Sequence, residues 1–425
     1  MKESLLHYLW QYQLFQTTEL FTTKKESILV KFVGEFNQNT GPDFIGAQVK
    51  IGNQLWAGNV EIHVKSSDWY VHHHETDANY NNVVLHVVWE HDVEVFNSLN
   101  QPIPVLELQS FISKSVLKNY DELFRTNNKW INCENSIKEV SSLVYNSWIE
   151  RLFFERLEQK SFFIIKCLES VNYDWEAVLF QLLARNFGLK INAEAFFEMA
   201  KQIDFGIVRK ESVSIERIES LLFGELGMLT EQLEDAYYKK LQKEYVYQKS
   251  KYGLEALKTP QVQFFRLRPI NFPTIRISQL ANLYTKNSQL FSELMALNNL
   301  SDFYNLFSIR ASDYWKTHYT FEKQSPKRIK RLSKSFIDLL IINTIIPLRF
   351  VYQKYIGKPD DEGILRLISS LKPEKNTVIS KFEMITKKPE NAMQSQALLY
   401  LKQAYCNEQK CLQCAIGNHL MRTNI

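Results

Sequence analysis

The sequence predicts an α+β protein in which a strand-rich amino-terminal domain precedes a large all-helical domain. Between about residues 27 and 108, apolar side chains alternate with the two-residue period of half-buried strands. After residue 140 they recur at the spacing of amphipathic helices, as in 148–168. A polar stretch separates the two patterns. We therefore expect a sheet domain over 1–112, a linker over 113–139 and a helical domain over 140–425 that ends in a cysteine cluster.

The composition is that of a globular protein. Of the 425 residues, 45% are hydrophobic and 13% aromatic, which is enough to build a sizeable core. The formal net charge of +4 is too small to indicate an anionic partner, so only local clusters can argue for nucleic acid. Five cysteines in a chain this long do not predict a disulfide framework. We expect no secretory signal and no membrane span, hence a cytoplasmic location; protein partners stay open.

The elements of the first domain can be placed in chain order. Residues 3–15 carry leucines and a tryptophan at helical spacing and predict one amphipathic helix. A short helical segment is expected over 67–81, where Ser67 or Asp68 can cap it. Gly52-Asn53 predicts a hairpin turn between the second and third strands. The strand-like runs read ILVKFV, DFIGAQVKI, LWAGNVEIHVK, VVLHVVWE, VEVF and PIPVLEL.

An unusual set of ionisable residues lies along these predicted strands. Asp43 opens one strand, and Glu61, His63 and Lys65 alternate along the next, so the last three share one face. Burying such groups is costly unless they pair or bind a metal. Carboxylates can hold Mg²⁺ or Mn²⁺, and a neighbouring base can orient or deprotonate water. The alternative is a turn-capping Asp43 with a surface ion pair between Glu61 and Lys65.

In these residues and in its element order, the chain resembles the PD-(D/E)-x-K nuclease superfamily over about its first 110 residues. Pro42-Asp43 matches the PD, and Glu61-Ile62-His63 stands where Glu-x-Lys is expected. The resemblance implies a restriction-endonuclease-like sheet domain, Mg²⁺ or Mn²⁺ at Asp43 and Glu61, and hydrolysis of DNA or RNA. His63 replaces the lysine of that pattern, so His63 or Lys65 would position the water. Glu3 on the first helix would match the superfamily's helix glutamate.

A group of histidines forms a second candidate site. Imidazoles and aspartates at short spacing are adequate ligands for Zn²⁺ or Mn²⁺, and His73, His74 and Asp77 can share a helix face. This predicts a His/Asp metal site that is hydrolytic or structural, or a histidine that donates to a leaving phosphate oxygen. The alternative is a solvated loop with one core histidine, His86. The cluster comprises Asp68, His72, His74, Asp77 and His86.

Three cysteines near the carboxyl end have metal-ligand spacing. Cys406, Cys411 and Cys414 form a C-x₄-C-x₂-C pattern that needs only one more thiolate for a four-coordinate site. We expect Cys133 to supply it, because Cys167 falls on an apolar helix face. Zn²⁺ and an iron–sulfur cluster both take four thiolates. The alternative is a set of reduced cysteines around a helix start.

Basic residues of the helical domain are candidates for nucleic-acid contacts. Arginine forks interleaved with phenylalanine and proline over 264–276 suit phosphate recognition. Ser325-Pro326 predicts a helix start whose first turns are basic. Positive side chains near a helix N-terminus interact unfavourably with the helix dipole, and a bound polyanion would offset that cost. A solvated face and core-pairing arginines are the alternative. The candidates are Arg266, Arg268, Arg276, Lys327, Arg328, Lys330 and Arg331.

Taken over nearly its full length, the chain resembles a bacterial family of unknown function, DUF2851-like. The motifs are GPDF, VEIH-x-x-SSDW, RLRP-x-NFPT-x-R, YW-x-x-HY and YCNEQKCLQCAIG. That resemblance implies one shared architecture and no established activity. We therefore expect a metal-dependent nuclease on the residues alone. The alternatives are a non-catalytic nucleic-acid-binding protein that retains the fold and a His/Asp-site metallohydrolase of another substrate class.

Overall fold

A computed structural model describes residues 2–125, 129–255 and 262–423. The chain divides into two compact units, one of Met1–Trp148 with Leu401–Ile425 and one of Ile149–Tyr400. The first unit contains a mixed sheet and the second is helical, so the predicted α+β class is confirmed. The boundaries differ from those expected, because the predicted linker over 113–139 and the cysteine-bearing carboxyl end both group with the sheet.

The described residues of the first unit form a seven-stranded sheet with strand order β1-β2-β4-β5-β6-β7, and β3 pairs with β4. Strands β1 to β5 pair antiparallel, whereas β5–β6 and β6–β7 are parallel. The strands are β1 Leu20–Phe21, β2 Ser27–Phe32, β3 Glu35–Phe36, β4 Phe44–Ile51, β5 Gln54–Lys65, β6 Val83–Glu90 and β7 Val105–Glu107. The helices are α1 Glu3–Gln11, α2 Asp68–Val71, α3 Lys114–Phe124 and, at the carboxyl end, α18 Ala415–Met421.

Local chemistry explains the hairpin that carries the two acids. Gly52 has a positive φ of 57° and joins β4 to β5, as the Gly-Asn turn predicted. The register shifts between Phe44 and Ala47, where Gly46 takes a φ of 71°. This bulge lets both Phe44 and Ala47 face the core although only two residues lie between them. It lies directly after Asp43.

Each face of the sheet is covered by different elements. On one face, Leu5, Leu9 and Trp10 of α1 pack into a buried cluster with Ile62 and Val87. On the other face, Trp69 of α2 packs with Val88 and with residues from the 95–105 segment. Because side chains alternate along β5 and β6, Glu61, His63 and His86 lie on this second face.

Most predicted elements of the first unit are present, with two corrections. The expected strand over 93–96 is wrong: this segment is irregular apart from an isolated bridge between Phe96 and Pro102. The expected helical segment over 67–81 is only a four-residue helix followed by turns and a short 3₁₀ helix over Ala78–Tyr80. Without a long helix, the predicted shared face of His73, His74 and Asp77 does not form.

The segment expected to be a linker contributes to the core. Val116 and Leu123 of α3 are buried in the same apolar cluster as α1. Asn119 donates hydrogen bonds to the backbone oxygens of Met421 and Thr423, at 3.1 and 2.8 Å. Residues 126–128 of that predicted linker lie outside the described residues.

The second unit is built from helices, beginning within α4. Asp and Asn side chains cap several of them, as Asp174 does by accepting from Glu176 and Ala177 N–H. The helices are α4 Ser142–Ser170, α5 Trp175–Phe187, α6 Leu189–Gln202, α7 Phe205–Glu211, α8 Ile215–Glu225, α9 Ala236–Tyr252, α10 Pro273–Lys286, α11 Leu290–Ala296, α12 Leu300–Leu306, α13 Lys334–Leu340, α14 Ile346–Tyr355, α15 Asp361–Ser369, α16 Thr377–Ile385 and α17 Ala392–Tyr400.

One continuous helical stretch of the second unit is apolar enough to cross a membrane by length and composition. It runs over Lys334–Tyr355, and 72% of its most apolar window is buried within the protein. A π-helical turn over Ile341–Ile345 precedes Pro347, which has no N–H to donate. Burial of this extent is consistent with a core helix. A cytoplasmic location stays a prediction.

Candidate metal centre

One cluster of ionisable residues gathers at β5, on the face of the sheet covered by α2. Strand β5 supplies Glu61 and His63, and its parallel neighbour β6 places His86 opposite Glu61 in register. The turns after α2 bring His72 and His74 back over this face. The acid pair and the histidine cluster, predicted as two candidate sites, therefore meet in one.

The two predicted acids are joined through the backbone at the start of β4. Glu61 Oε2 accepts the Asp43 N–H at 3.1 Å, and Asp43 Oδ2 accepts the Ile62 N–H at 3.0 Å. Each carboxylate thus fixes the strand that carries the other. Both side chains are largely buried, with exposed fractions of 20% for Asp43 and 6% for Glu61.

Helix α1 contributes a histidine that the sequence reasoning missed. His7 Nε2 lies 3.1 Å from Asp43 Oδ2 and 3.7 Å from Glu3 Oε1. Burial disfavours the charged imidazole, but the hydrogen bond and charge of Asp43 outweigh it and raise the pKa of His7. The signal available in the sequence was the four-residue spacing of Glu3 and His7, which places both on one helix face.

Three imidazoles beside Glu61 have the geometry of metal ligands. The ligand atoms of His63, His72 and His74 all lie within 4.8 Å of one another. His63 Nε2 is 3.0 Å from His72 Nδ1 and 3.6 Å from Glu61 Oε1. His74 Nε2 is 3.3 Å from the same Glu61 oxygen. Metal–ligand bonds of about 2.1 Å put tetrahedral ligand atoms about 3.4 Å apart, so these contacts match the edges of such a site.

Burial keeps two of the histidines neutral. Desolvation, followed by the charge of His86, lowers the pKa of His63 to about 2. Desolvation also lowers the pKa of the fully buried His86 to about 3. Burial raises the pKa of Glu61, although its contact with His74 works against this. Neutral imidazoles keep the lone pair that a metal ion requires.

A second row of contacts orients the central histidine. His63 Nδ1 lies 2.8 Å from His86 Nε2, and the tautomers decide which ring donates. Metal-bound histidines usually donate their other N–H to such a partner, and His86 is in place to accept it. His74 stacks on Tyr80 with ring centroids 3.8 Å apart.

Two ring nitrogens in this cluster lack hydrogen-bond partners among the described residues. They are His74 Nε2 and His86 Nδ1, and both are buried. The His74–Glu61 contact has an ion-pair distance without hydrogen-bond geometry. A buried polar atom without a partner is costly, so the protein alone does not complete this cluster.

Three predicted residues have contacts of other kinds. The Lys65 ammonium lies 3.5 Å from Glu90 Oε2, with both side chains about half exposed. Asp68 accepts the Lys65 N–H at 2.9 Å, and Asp77 accepts the Asn79 N–H at 2.9 Å. These aspartates shape the chain beside the centre, as capping residues do.

Two of the basic residues predicted to contact nucleic acid are buried, which corrects those assignments. Arg276 donates to Gln279 and Asn271 and lies 3.7 Å from the centroid of the Phe336 ring. Lys330 donates to the Lys316 oxygen. The other five are exposed; they are Arg266, Arg268, Lys327, Arg328 and Arg331.

The helix expected from Ser325 is also wrong. Residues 325–333 are irregular, and the next helix begins at Lys334. The segment instead bonds with a distant one: Arg328 N–H donates to the Lys316 oxygen and Ala311 N–H to the Lys330 oxygen. These pairings compete with the local helix start that the Ser-Pro pair favours.

The four cysteines predicted as ligands lie together in the first unit, and Cys167 belongs to the second. Cys133, Cys406, Cys411 and Cys414 line one cavity with leucine, isoleucine and tyrosine side chains. None forms a disulfide, and Cys167 is buried as expected of a core residue.

A family model described as "Protein of unknown function (DUF2851)" matches residues 3–377. The matched range contains the histidine and carboxylate residues of the centre and Cys133. No curated protein and no solved structure matches the chain.

Proposed function

This chain belongs to the DUF2851 family of proteins of unknown function, and we propose that its first unit is a metal-dependent hydrolase of nucleic-acid phosphodiester bonds. The observation that carries the proposal is the meeting of Glu61 with His63, His72 and His74 at ligand-to-ligand distances. The unpartnered nitrogen of His74 supports it, because a metal ion would complete that group.

The topology around the acids supports the phosphodiesterase class. Strands β2, β4 and β5 pair antiparallel in sequence, and β6 then returns parallel to β5 after α2. Asp43 stands before β4 and Glu61 within β5, which is the placement implied by the resemblance to the PD-(D/E)-x-K superfamily. Fold alone does not fix an activity, so the proposal depends on the site.

The donor set favours Mn²⁺ or Zn²⁺ over Mg²⁺ alone. Imidazole suits Zn²⁺ and carboxylate suits Mn²⁺ and Mg²⁺, and this centre offers both kinds of ligand. Glu61, His63 and His74 would hold the ion from the buried side, with the more exposed His72 at the opening. The ion would polarise the phosphate and lower the pKa of water.

The chain's own residues have separate roles in this proposal. Asp43 positions the Ile62 amide and pairs with His7, whose raised pKa favours a protonated imidazole that can donate to a leaving oxygen. His63 contacts His86 through Nδ1, and its Nε2 lies among the other ligand atoms, so we assign His63 as a ligand and not as a base. His86 keeps the ring of His63 in orientation.

A metallohydrolase acting on another substrate class is the second candidate. The three imidazoles favour it, because such ligands also serve hydrolytic zinc sites. A non-catalytic nucleic-acid-binding protein is the third, since the pattern's lysine is replaced by His63.

A cleavage assay with the full chain separates these functions. We expect Mn²⁺ or Zn²⁺ to support cleavage of DNA or RNA, and Glu61→Gln to reduce the rate about 100-fold or more. His73→Ala is the matched control, because His73 is exposed beside His74 and should retain activity.

Other results of this assay would favour one of the two alternative functions or refute the proposed site. Binding of oligonucleotides without cleavage under Mg²⁺, Mn²⁺ and Zn²⁺ would favour the binding protein. Hydrolysis of a small ester or phosphate alone, lost on His74→Ala, would favour the metallohydrolase. Full nuclease activity in Glu61→Gln would refute the proposed site.

A further inference from the structure

We infer that Cys133, Cys406, Cys411 and Cys414 bind an iron–sulfur cluster, because these four thiols line one cavity in which Asn132 donates a hydrogen bond to Cys411 Sγ. This site is separate from the histidine centre and does not depend on the proposed hydrolase activity.

The ligand set is the first step. The four cysteines offer four thiolates around one cavity, and both zinc and an iron–sulfur cluster take such a set. A tetrahedral zinc site has Zn–S bonds of about 2.3 Å, which places its sulfurs about 3.8 Å apart. Iron–sulfur clusters also take four cysteines, but separate irons bind them, so the thiolates spread around the inorganic core.

The thiols lie close to one another around this cavity. Each of Cys133, Cys406 and Cys411 is close enough to its neighbours for their charges to disfavour ionisation. Burial is the larger cause, and it raises the pKa of Cys406 to about 12 and of Cys411 to about 11.

The backbone holds three of the cysteines in a compact loop. Cys406 ends a π-helical turn, Cys411 begins a 3₁₀ turn and Cys414 precedes α18. Gly417 permits this packing, because a Cβ there would lie 2.0 Å from the Cys411 carbonyl oxygen. The fourth ligand comes from the turn at Cys133, whose oxygen accepts from Ser136 and Ile137.

One contact bears directly on a ligand sulfur. Asn132 Nδ2 donates to Cys411 Sγ at 3.4 Å. Hydrogen bonds to the sulfurs stabilise the reduced state of an iron–sulfur cluster and so tune its potential. Lys410 also lines the cavity, and the positive charge of Lys402 favours the thiolate form of Cys406. These groups suit an anionic, thiolate-ligated cluster.

The full chain purified without oxygen tests the inference. We expect iron and acid-labile sulfide in equal amounts, with little zinc, and a visible charge-transfer band that bleaches on reduction. Each Cys→Ala variant of the four should lose most of the iron. Cys167→Ala is the matched control and should keep it, because Cys167 is a buried core thiol of the other unit.

A milder variant keeps the test valid if the cysteine variants do not fold. Asn132→Leu should retain iron but shift the reduction potential to a more negative value, since it removes the hydrogen bond to Cys411 Sγ. A protein that holds one zinc without sulfide would overturn the inference. So would a protein that takes up no iron after reconstitution with Fe²⁺ and sulfide.

Discussion

Two buried clusters of ionisable groups, one in each unit, differ in how completely the protein satisfies them. In the first unit, Glu61 and its histidines leave two ring nitrogens without hydrogen-bond partners among the described residues. In the second unit, the buried carboxylates of Glu211 and Glu219 each accept several hydrogen bonds from neighbouring side chains.

The Glu211 network is complete at both carboxylate oxygens. Arg217 donates to Oε2 at 2.6 Å and to Oε1 at 2.9 Å, forming a bidentate pair. Gln248 donates to Oε2 at 3.1 Å, and Tyr252 donates its hydroxyl to Oε1. Glu219 similarly accepts from the Tyr237 and Ser278 hydroxyls.

The difference separates structural clusters from candidate sites. A buried charge that the protein itself satisfies stabilises a fold and needs no ligand. A cluster of crowded imidazoles with buried nitrogens that lack hydrogen bonds among the described residues has spare ligand capacity and carries an energetic cost until something fills it. Substitutions should therefore affect metal binding in the first unit and stability in the second.

The largest expected effect is the loss of metal affinity in His74→Ala. Removing one of the buried ligands should weaken Zn²⁺ or Mn²⁺ binding by about 100-fold or more, measured by isothermal titration calorimetry. His73→Ala should bind as the parent does, because its ring is exposed. Equal metal affinities for His74→Ala and His73→Ala would show that His74 is not a ligand.

Glu211→Gln should show the opposite pattern. It removes the charge that Arg217 pairs with and leaves that guanidinium poorly satisfied, which should cost about 2 kcal/mol. Native-state hydrogen exchange of α8 and α9 measures this locally. Metal affinity should be unchanged, and weakened metal binding would contradict the assignment of the two clusters to separate roles.

The same carboxylate predicts a pH dependence. Burial opposes ionisation of Glu211, but the hydrogen bonds from Tyr252 and Arg217 outweigh it and lower its pKa. Its stabilising contribution is thus present above the carboxyl's ordinary pKa and is lost as the pH falls through the lowered value. The difference in hydrogen-exchange protection of α8 and α9 between the parent protein and Glu211→Gln should become smaller between about pH 5 and pH 3. A difference that persists undiminished would mean that charge is not its cause.

How far the sequence predicted these features depends on the distance between the residues involved. The two-residue period placed Glu61 and His63 on one face, and Gly52 marked the hairpin, because both are local properties. His7 contacts Asp43 only because α1 packs on the sheet, and His74, predicted in a separate cluster, meets Glu61 only through the turns after α2. No local pattern contains these long-range contacts. The Ser325 helix start failed for the same reason, since tertiary hydrogen bonds to Lys316 override it.

The smallest expected effect tests which residue replaces the lysine of the nuclease pattern. Lys65 pairs with Glu90 at the carboxyl ends of β5 and β6, and half-exposed ion pairs contribute less than about 1 kcal/mol. Lys65→Ala should therefore change neither metal affinity nor cleavage, and should lower the thermal unfolding midpoint only slightly. The companion variant Glu90→Ala controls for the ion pair itself. If Lys65→Ala abolished cleavage while Glu90→Ala did not, Lys65 would be the group that positions the water. His63 would then not have that role.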